Sequence, residues 1–176
     1  MPSWNNDDDC RAGGDALVLA LTPGGQAAVT NTTITGEGNC LVVAVCALDQ
    51  SCTGEERVRM RNVLFQGQEV FFSPGEETCL GWYDDESPLP LPVDPFDIEY
   101  SLISGVRFGN VEPCPGGHNL CSALSGLQDS AIDSFDAHLE PGSPAIDAGD
   151  PAGAPAEDLS GQPRDAHPDI GAYESR

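Results

Sequence analysis

The chain has 176 residues, enough for one domain with a hydrophobic core. Its 29 acidic residues far outnumber the 7 basic ones, all of which are arginine, and the formal net charge is -22. This charge argues against nucleic acid or an anionic membrane as a partner, because both require a cationic surface. The 20 glycines and 15 prolines indicate a turn-rich β architecture.

The first residues, MPSWNNDDD, have neither the basic start nor the apolar run of an export signal. The apolar run ALVLAL (16–21) is too short for an export core or a membrane span. We therefore expect no transmembrane segment, and an exported protein would have had its signal removed or would begin upstream of this chain. The acidic run NNDDD (5–9) offers oxygen ligands for calcium but lacks the spacing of an EF-hand loop, so we interpret it as a solvated run.

Three octapeptides align without gaps and indicate an internal repeat. They are VTNTTITG (29–36), MRNVLFQG (60–67) and IEYSLISG (98–105), each with apolar residues at its first and sixth positions and a final glycine. Their strands are rich in Val, Ile, Leu, Phe and Thr, and a repeat of roughly 30 residues favours coils stacked in a solenoid over a β-sandwich. In such a stack Asn31 lies over Asn62 as an amide ladder, and glycine recurs where the backbone needs a positive φ.

Seven cysteines indicate an oxidising compartment and leave one thiol without a partner inside the chain. Two local disulfides are predicted, between Cys46 and Cys52 and between Cys114 and Cys121. The string CPGGHNLC (114–121) also resembles a metal site, but its spacing is not C-x-x-C and a fourth ligand is missing. We predict no metal site and no cofactor, with calcium as the one candidate ion.

A long insertion, SPGEETCLGWYDDESPLPLPVDPF (73–96), separates the second and third octapeptides. Repeat proteins often place insertions on their binding face. Aromatic rings can stack on sugars and carboxylates can accept sugar hydroxyls. The candidate ligand-binding residues are therefore Trp82, Tyr83, Asp84, Asp85 and Glu86. The alternative is that the two aromatic side chains cover apolar surface of the coils.

The C-terminal segment, residues 126–176, is predicted to cap the solenoid. In GSPAIDAGD (142–150), Pro144 imposes an extended or turn backbone on the residue before it, and the following Ala-Ile pair can pack under the last coil. Asp147 can accept backbone N–H groups in the next turn. A catalytic carboxylate pair is the alternative, but a retaining glycosidase would need two carboxylates about 5 Å apart.

A second string, DIGAY (169–173), is predicted to be the final strand of this cap. With Tyr173 it would cover a terminal coil whose N–H and C=O groups are otherwise unpaired. A short helix is the candidate structure for DSAIDSFDAHL (129–139). The candidate ion-pair partners of Arg164, which would hold the two strings together, are Asp147, Asp158 and Glu174.

The strings HLEPGSPAIDAGD (138–150), DLSGQPR (158–164) and DIGAYE (169–174) together resemble a known protein ending. It is the C-terminal end of bacterial right-handed parallel β-helix proteins of the pectate-lyase-like superfamily. These include surface proteins described as choice-of-anchor or polymorphic-outer-membrane-like. The resemblance implies a right-handed β-helix, an extracellular or cell-surface location and contact with polysaccharide, but it implies no single activity.

One departure from this superfamily concerns catalysis. Its polysaccharide lyases use a carboxylate-bound calcium and a basic residue that removes a proton. This chain has no lysine, and Arg57, Arg59 and Arg61 alternate on one face of a strand without a recognisable set of facing carboxylates. The sequence therefore favours the lyase hypothesis less than non-catalytic binding.

We thus predict one all-β domain, a right-handed parallel β-helix of about three to four coils with a C-terminal cap. The coils span residues 1–125, with the insertion at 73–96, and the cap spans 126–176. The predicted function is non-catalytic adhesion or carbohydrate binding by a secreted or cell-surface module, with a polysaccharide or cell-surface glycan as partner. The alternative is a fragment of a polysaccharide lyase or glycoside hydrolase from a longer chain, and no catalytic residue is assigned.

Overall fold

A computed structural model of the chain describes residues 17–36, 42–46, 53, 55–67, 80–83, 96–104, 117–122 and 124–175. These residues form twelve short strands and one 3₁₀ helix, so the predicted all-β class is confirmed. The strands are β1 (Leu17–Leu21), β2 (Gln26–Thr30), β3 (Thr33–Gly36), β4 (Val42–Cys46), β5 (Arg57–Arg61), β6 (Leu64–Gly67), β7 (Leu80–Tyr83), β8 (Phe96–Glu99), β9 (Leu102–Ser104), β10 (Leu120–Ser122), β11 (Leu127–Asp129) and β12 (Asp136–Leu139). Over these ranges, no helix has the length and apolar character needed to span a membrane.

The first ten strands form three parallel sheets, in which strands β1 to β9 pair with the strand three places along the chain and β10 pairs with β9. Their orders are β1-β4-β7, β2-β5-β8 and β3-β6-β9-β10. The register pairs the residues that the octapeptide alignment puts side by side, including Ile34 with Phe65 and Phe65 with Ile103. Three consecutive strands therefore make one structural repeat.

The main core lies on the inward faces of these sheets and is built from the aligned apolar positions. Met60 and Phe65 are each 1 % exposed, and Ile103 is fully buried. They form one cluster with the other inward-facing residues of the three sheets. The regular spacing of apolar residues in the octapeptides thus fixes which side of each strand faces inward.

A second core lies on the opposite face of the β3-β6-β9-β10 sheet. Leu64 and Leu102 pair in register next to the inward Phe65 and Ile103, so this sheet is apolar on both faces. The outer pair packs against residues of the C-terminal segment, namely Leu127, Leu139, Ala145 and Ile170.

The position of the C-terminal segment differs from the predicted one. Residues 142–175 pack on the outer face of a sheet, and DIGAY (169–173) forms bends there and not a strand. The apolar outer face explains this difference, because the leucines of β6 and β9 need a cover along the side of the repeats. The helix considered for residues 129–139 is also absent: β11 and β12 form an antiparallel pair around the 3₁₀ helix Ile132–Ser134.

Candidate ligand-binding site

One turn position recurs in each repeat and carries the candidate site. It lies two residues before the paired residues Thr33, Leu64, Leu102 and Leu120. Its occupants are Asn31, Asn62, Tyr100 and His118, with φ of 46, 56, 50 and 62. The repeat glycines Gly36 and Gly67, which were expected to need a positive φ, do not have one, and the left-handed backbone recurs at this turn position. Asparagine adopts the left-handed region at low cost because its short side chain forms local hydrogen bonds, and histidine is also enriched there. Tyr100 is the bulky exception and must be held there by its surroundings.

The first half of this column is a buried amide pair. Asn62 Nδ2 donates to Asn31 Oδ1 at 3.2 Å, and the two residues are 0 % and 8 % exposed. The C-terminal segment uses the remaining amide atoms. Asn62 Oδ1 accepts from the Asp150 backbone N–H at 2.7 Å, Asn62 Nδ2 donates to the Asp150 carbonyl at 2.9 Å, and Asn31 Nδ2 donates to the Asp169 carbonyl at 3.3 Å. This half is therefore structural, with its polar atoms committed to the fold.

The second half of the column is a pair of stacked rings. The Tyr100 and His118 ring centroids are 4.5 Å apart with an interplanar angle of 7°. Tyr100 is half-buried and His118 is exposed. The column therefore changes from buried amides to accessible aromatic rings.

The buried Ser101 and the half-buried Asn119 hold the two ring-bearing turns. The Ser101 backbone N–H donates to Asn119 Oδ1 at 2.8 Å, and Asn119 Nδ2 donates to the Ile98 carbonyl at 2.7 Å. Ser101 Oγ also accepts from the Val63 N–H at 3.1 Å. These bonds fix the backbone on either side of both rings, so the stack is preorganised.

A charged group borders the rings. Arg61, the last residue of β5, pairs in register with Glu99, the last residue of β8, and donates to its carboxylate. A second Arg61 nitrogen lies 2.6 Å from the Asp150 carboxylate, and the guanidinium carbon lies 5.7 Å from the Tyr100 ring centroid. Arg61 therefore links two strands, the C-terminal segment and the aromatic pair.

The neighbouring positions continue this pattern along the outer face of the β2-β5-β8 sheet. Arg59 pairs in register with Asp97, and their side chains form an exposed ion pair at 3.9 Å. No carboxylates facing the arginines of β5 were recognised from the sequence, but the sheet register places Asp97 and Glu99 opposite Arg59 and Arg61. The signal lay in FDIE (96–99), whose acidic residues alternate with the same period as the arginines of β5.

Arg164 joins the C-terminal strings through one ion pair and several hydrogen bonds to backbone carbonyls. Arg164 Nη1 lies 2.9 Å from the Glu174 carboxylate, with side chains 3 % and 9 % exposed, so Glu174 and not Asp147 or Asp158 is its ion-pair partner. Arg164 also donates to the carbonyls of Asp169, Gly171 and Ala172. Tyr173 stacks on His138 with centroids 4.0 Å apart.

Asp147 does not perform the predicted role. Its side chain is exposed, its φ is 56, and its backbone N–H donates to Asp169 Oδ1 at 2.8 Å. The acceptors that hold the turns are instead the buried Asp169, Asp158 and Asp150. An Asp-rich turn string does not reveal which of its carboxylates faces inward, because that depends on the backbone path.

Two buried carboxylates are kept ionised by hydrogen bonds. Burial alone would raise the pKa of Asp158, but N–H groups of Glu174, Gln162 and Ser160 and the Ser160 hydroxyl lower it to about 2. Burial of Glu56 is likewise outweighed by donors of Thr53 and Gly24, which lower its pKa to about 2. Both groups therefore act as turn acceptors and not as proton donors near neutral pH.

Several predicted residues fall outside the described residues. Trp82 and Tyr83 lie on β7, opposite Ala44 and Val45 of β4, but their side chains are not described. Asp84, Asp85, Glu86 and the NNDDD run (5–9) are outside as well, so the ligand and calcium hypotheses there stay predictions. In the described ranges, no three His, Cys, Asp or Glu side chains gather closely enough to hold a metal ion.

The disulfide predictions also reach beyond the described residues. Cys121, on β10, is disulfide-bonded. Cys52 and Cys114 and the side chain of Cys46 are outside the described part of the chain. The pairings Cys46–Cys52 and Cys114–Cys121 therefore stay predictions.

Searches for similar proteins returned no match of the chain to a protein-family model, a curated protein or a solved structure.

Proposed function

We propose that the chain is a right-handed parallel β-helix module of the cell surface or extracellular space that binds carbohydrate without cleaving it. The three-strand repeats and the parallel pairing of each strand with its counterpart support this architecture. The disulfide-bonded Cys121 supports an oxidising location outside the cytosol.

The observation that carries the binding proposal is the Tyr100–His118 stack with Arg61 and Glu99 at its border. Sugar rings bind to flat aromatic groups through their C–H faces and to charged groups through their hydroxyls. A guanidinium only donates hydrogen bonds and a carboxylate only accepts them. A neighbouring pair of the two can therefore bind a sugar hydroxyl both as an acceptor and as a donor. The Arg61 and Glu99 side chains keep 36 % and 34 % of their surface exposed, which leaves room for such contacts.

The ion pairs of Arg61 favour carbohydrate binding over lyase chemistry. A general base must be presented to the proton that it removes. Arg61 is bonded to Glu99 and Asp150, so its guanidinium is not presented to a substrate on its own. A polysaccharide lyase or glycoside hydrolase fragment is therefore the weaker hypothesis.

The test is a glycan array read with the labelled full chain, followed by solution titration of the best ligands. The double variant Tyr100→Asn, His118→Asn removes both rings but keeps a residue type that occupies the equivalent positions Asn31 and Asn62. We expect the wild type to bind and the double variant to lose at least tenfold in affinity.

Two control measurements sharpen this test. Trp82→Ala probes the loop site predicted from the sequence; if it abolishes binding and the double variant does not, the Tyr100–His118 site is wrong. Incubation with the bound polysaccharide should give no ultraviolet absorbance from unsaturated sugar ends. Release of such ends would replace the binding proposal with the lyase alternative.

A further inference from the structure

We infer that the site selects uncharged glycans and that the sugar ring stacks on His118 as the next rung of the turn column. This inference rests on the proposed carbohydrate-binding function and adds the class of ligand and the contact residue to it.

The geometry of the column indicates where a ring would bind. The ring centroids of Tyr100 and His118 are 4.5 Å apart, which is close to the spacing of about 4.7–4.9 Å between neighbouring strands. Tyr100 covers one face of His118, yet His118 is exposed. The face of the imidazole that Tyr100 does not cover is the one on which a further ring would continue the stack.

The backbone holds this ring ready for a ligand. His118 has a left-handed φ of 62, and the next residue, Asn119, is bonded to both Ser101 and Ile98. A ring fixed in this way loses little conformational freedom when a ligand binds.

The charges beside the rings decide the class of sugar. Two guanidiniums, of Arg59 and Arg61, face the three carboxylates of Asp97, Glu99 and Asp150. The group therefore has a net charge of about -1 inside a protein of net charge -22, and it repels anionic sugars. Uncharged sugars avoid this repulsion and offer hydroxyls that both donate and accept.

The experiment compares uncharged and anionic polysaccharides by isothermal titration of the full chain. The uncharged set is an unsubstituted glucan, a mannan and a galactan, and the anionic set is polygalacturonate and a sulfated galactan. We expect binding within the uncharged set and an affinity that changes less than about twofold between low and high salt, since no net ionic attraction is involved. Binding confined to the anionic set would overturn this inference and leave carbohydrate binding intact, whereas no binding to any glycan would overturn the proposed function itself.

Single variants then test His118. His118→Asn keeps a residue suited to positive φ and removes the ring, so affinity should fall about tenfold, the loss expected for one stacking contact. His118→Phe keeps a ring and should stay within about threefold of the wild type.

The matched control is His138→Asn, which removes the other histidine that stacks on a tyrosine, at Tyr173. It should leave affinity unchanged. Thermal unfolding of each variant separates a lost contact from a lost fold. Uncharged-glycan binding that survives His118→Asn in a folded protein would overturn the assignment of His118.

Discussion

Asn62 and Asn31 are joined by a side-chain hydrogen bond of 3.2 Å across two neighbouring repeats, and both residues have left-handed backbone. The amide of Asn62 bonds in addition to the backbone N–H and carbonyl of Asp150. One side chain therefore connects two repeats and the C-terminal segment.

Replacing Asn62 should be costly for this reason. Asn62→Ala removes the partner of the buried Asp150 N–H and of the buried Asn31 side-chain oxygen Oδ1. It also places alanine, which rarely adopts left-handed backbone, at a φ of 56. We expect the free energy of unfolding to fall by about 3 kcal/mol or more, measured by urea denaturation. Asn62→Gly relieves the backbone strain alone, so it should recover only about 1 kcal/mol of that loss. A loss below about 1 kcal/mol in Asn62→Ala would show that the amide is not a structural link.

The second core predicts a strong effect at Ile170. This residue is fully buried against Leu64 and Leu102, so Ile170→Ala should lower the free energy of unfolding by about 2–4 kcal/mol through lost burial and a cavity. Leu159 lies in the same segment but is 72 % exposed, and Leu159→Ala should change stability by less than about 0.5 kcal/mol. Equal effects of the two substitutions in chemical denaturation would contradict the packing of this segment on the sheet.

The lowered pKa of Asp158, about 2, predicts a loss of stability in acid. A carboxyl whose pKa is lower in the folded than in the unfolded state stabilises the fold above its unfolded pKa, near 4, and this contribution disappears as the pH falls from about 4 to about 2. Glu56, with a pKa of about 2, contributes in the same direction and window.

Thermal unfolding of the wild type should therefore show a decreasing melting temperature across this range. Asp158→Asn should melt lower at neutral pH and show a shallower decrease in acid, because its side chain cannot lose a charge. Asp147→Asn is the control, since the Asp147 side chain is exposed. An identical acid profile for Asp158→Asn and the wild type would refute the role of Asp158.

Arg164 should not tolerate lysine. Its two terminal nitrogens contact Glu174 and three backbone carbonyls, a fork-like arrangement that a single ammonium cannot reproduce. We expect Arg164→Lys to lower the free energy of unfolding by about 2 kcal/mol and Arg164→Ala by about 3–5 kcal/mol, because Glu174 would stay buried without its partner. Arg59→Lys serves as the control, since the Arg59 side chain is 72 % exposed and its ion pair is worth less than about 1 kcal/mol.

The repeat and its register could be predicted from the sequence. The octapeptide alignment puts Val29 with Met60 and Met60 with Ile98, and the sheets pair these residues. The alignment predicts the strand pairing because a strand buried on one side needs apolar residues at every second position. A shift of one residue would therefore expose all of its apolar side chains. The same alignment brings Asn31 and Asn62 to one turn position.

The fourth position of the turn column could not be found in this way. The string GHNL (117–120) has little in common with the octapeptides, and only the pairing of β10 with β9 brings His118 next to Tyr100. The sequence pointed instead to the insertion around Trp82, because a long insertion with aromatic residues is visible without knowledge of register.

By itself, the sequence determined the all-β class, the repeat, the inward-facing residues and the Asn31–Asn62 position, all of which follow from local periodicity. Only the tertiary structure decided that residues 142–175 cover the outer face of a sheet, that Glu174 is the ion-pair partner of Arg164, and that Arg61, Glu99, Asp150, Tyr100 and His118 lie together. The physical reason is that these contacts join residues far apart in the chain. Loop lengths and the path of the backbone set such contacts, and neither leaves a periodic signal in the sequence.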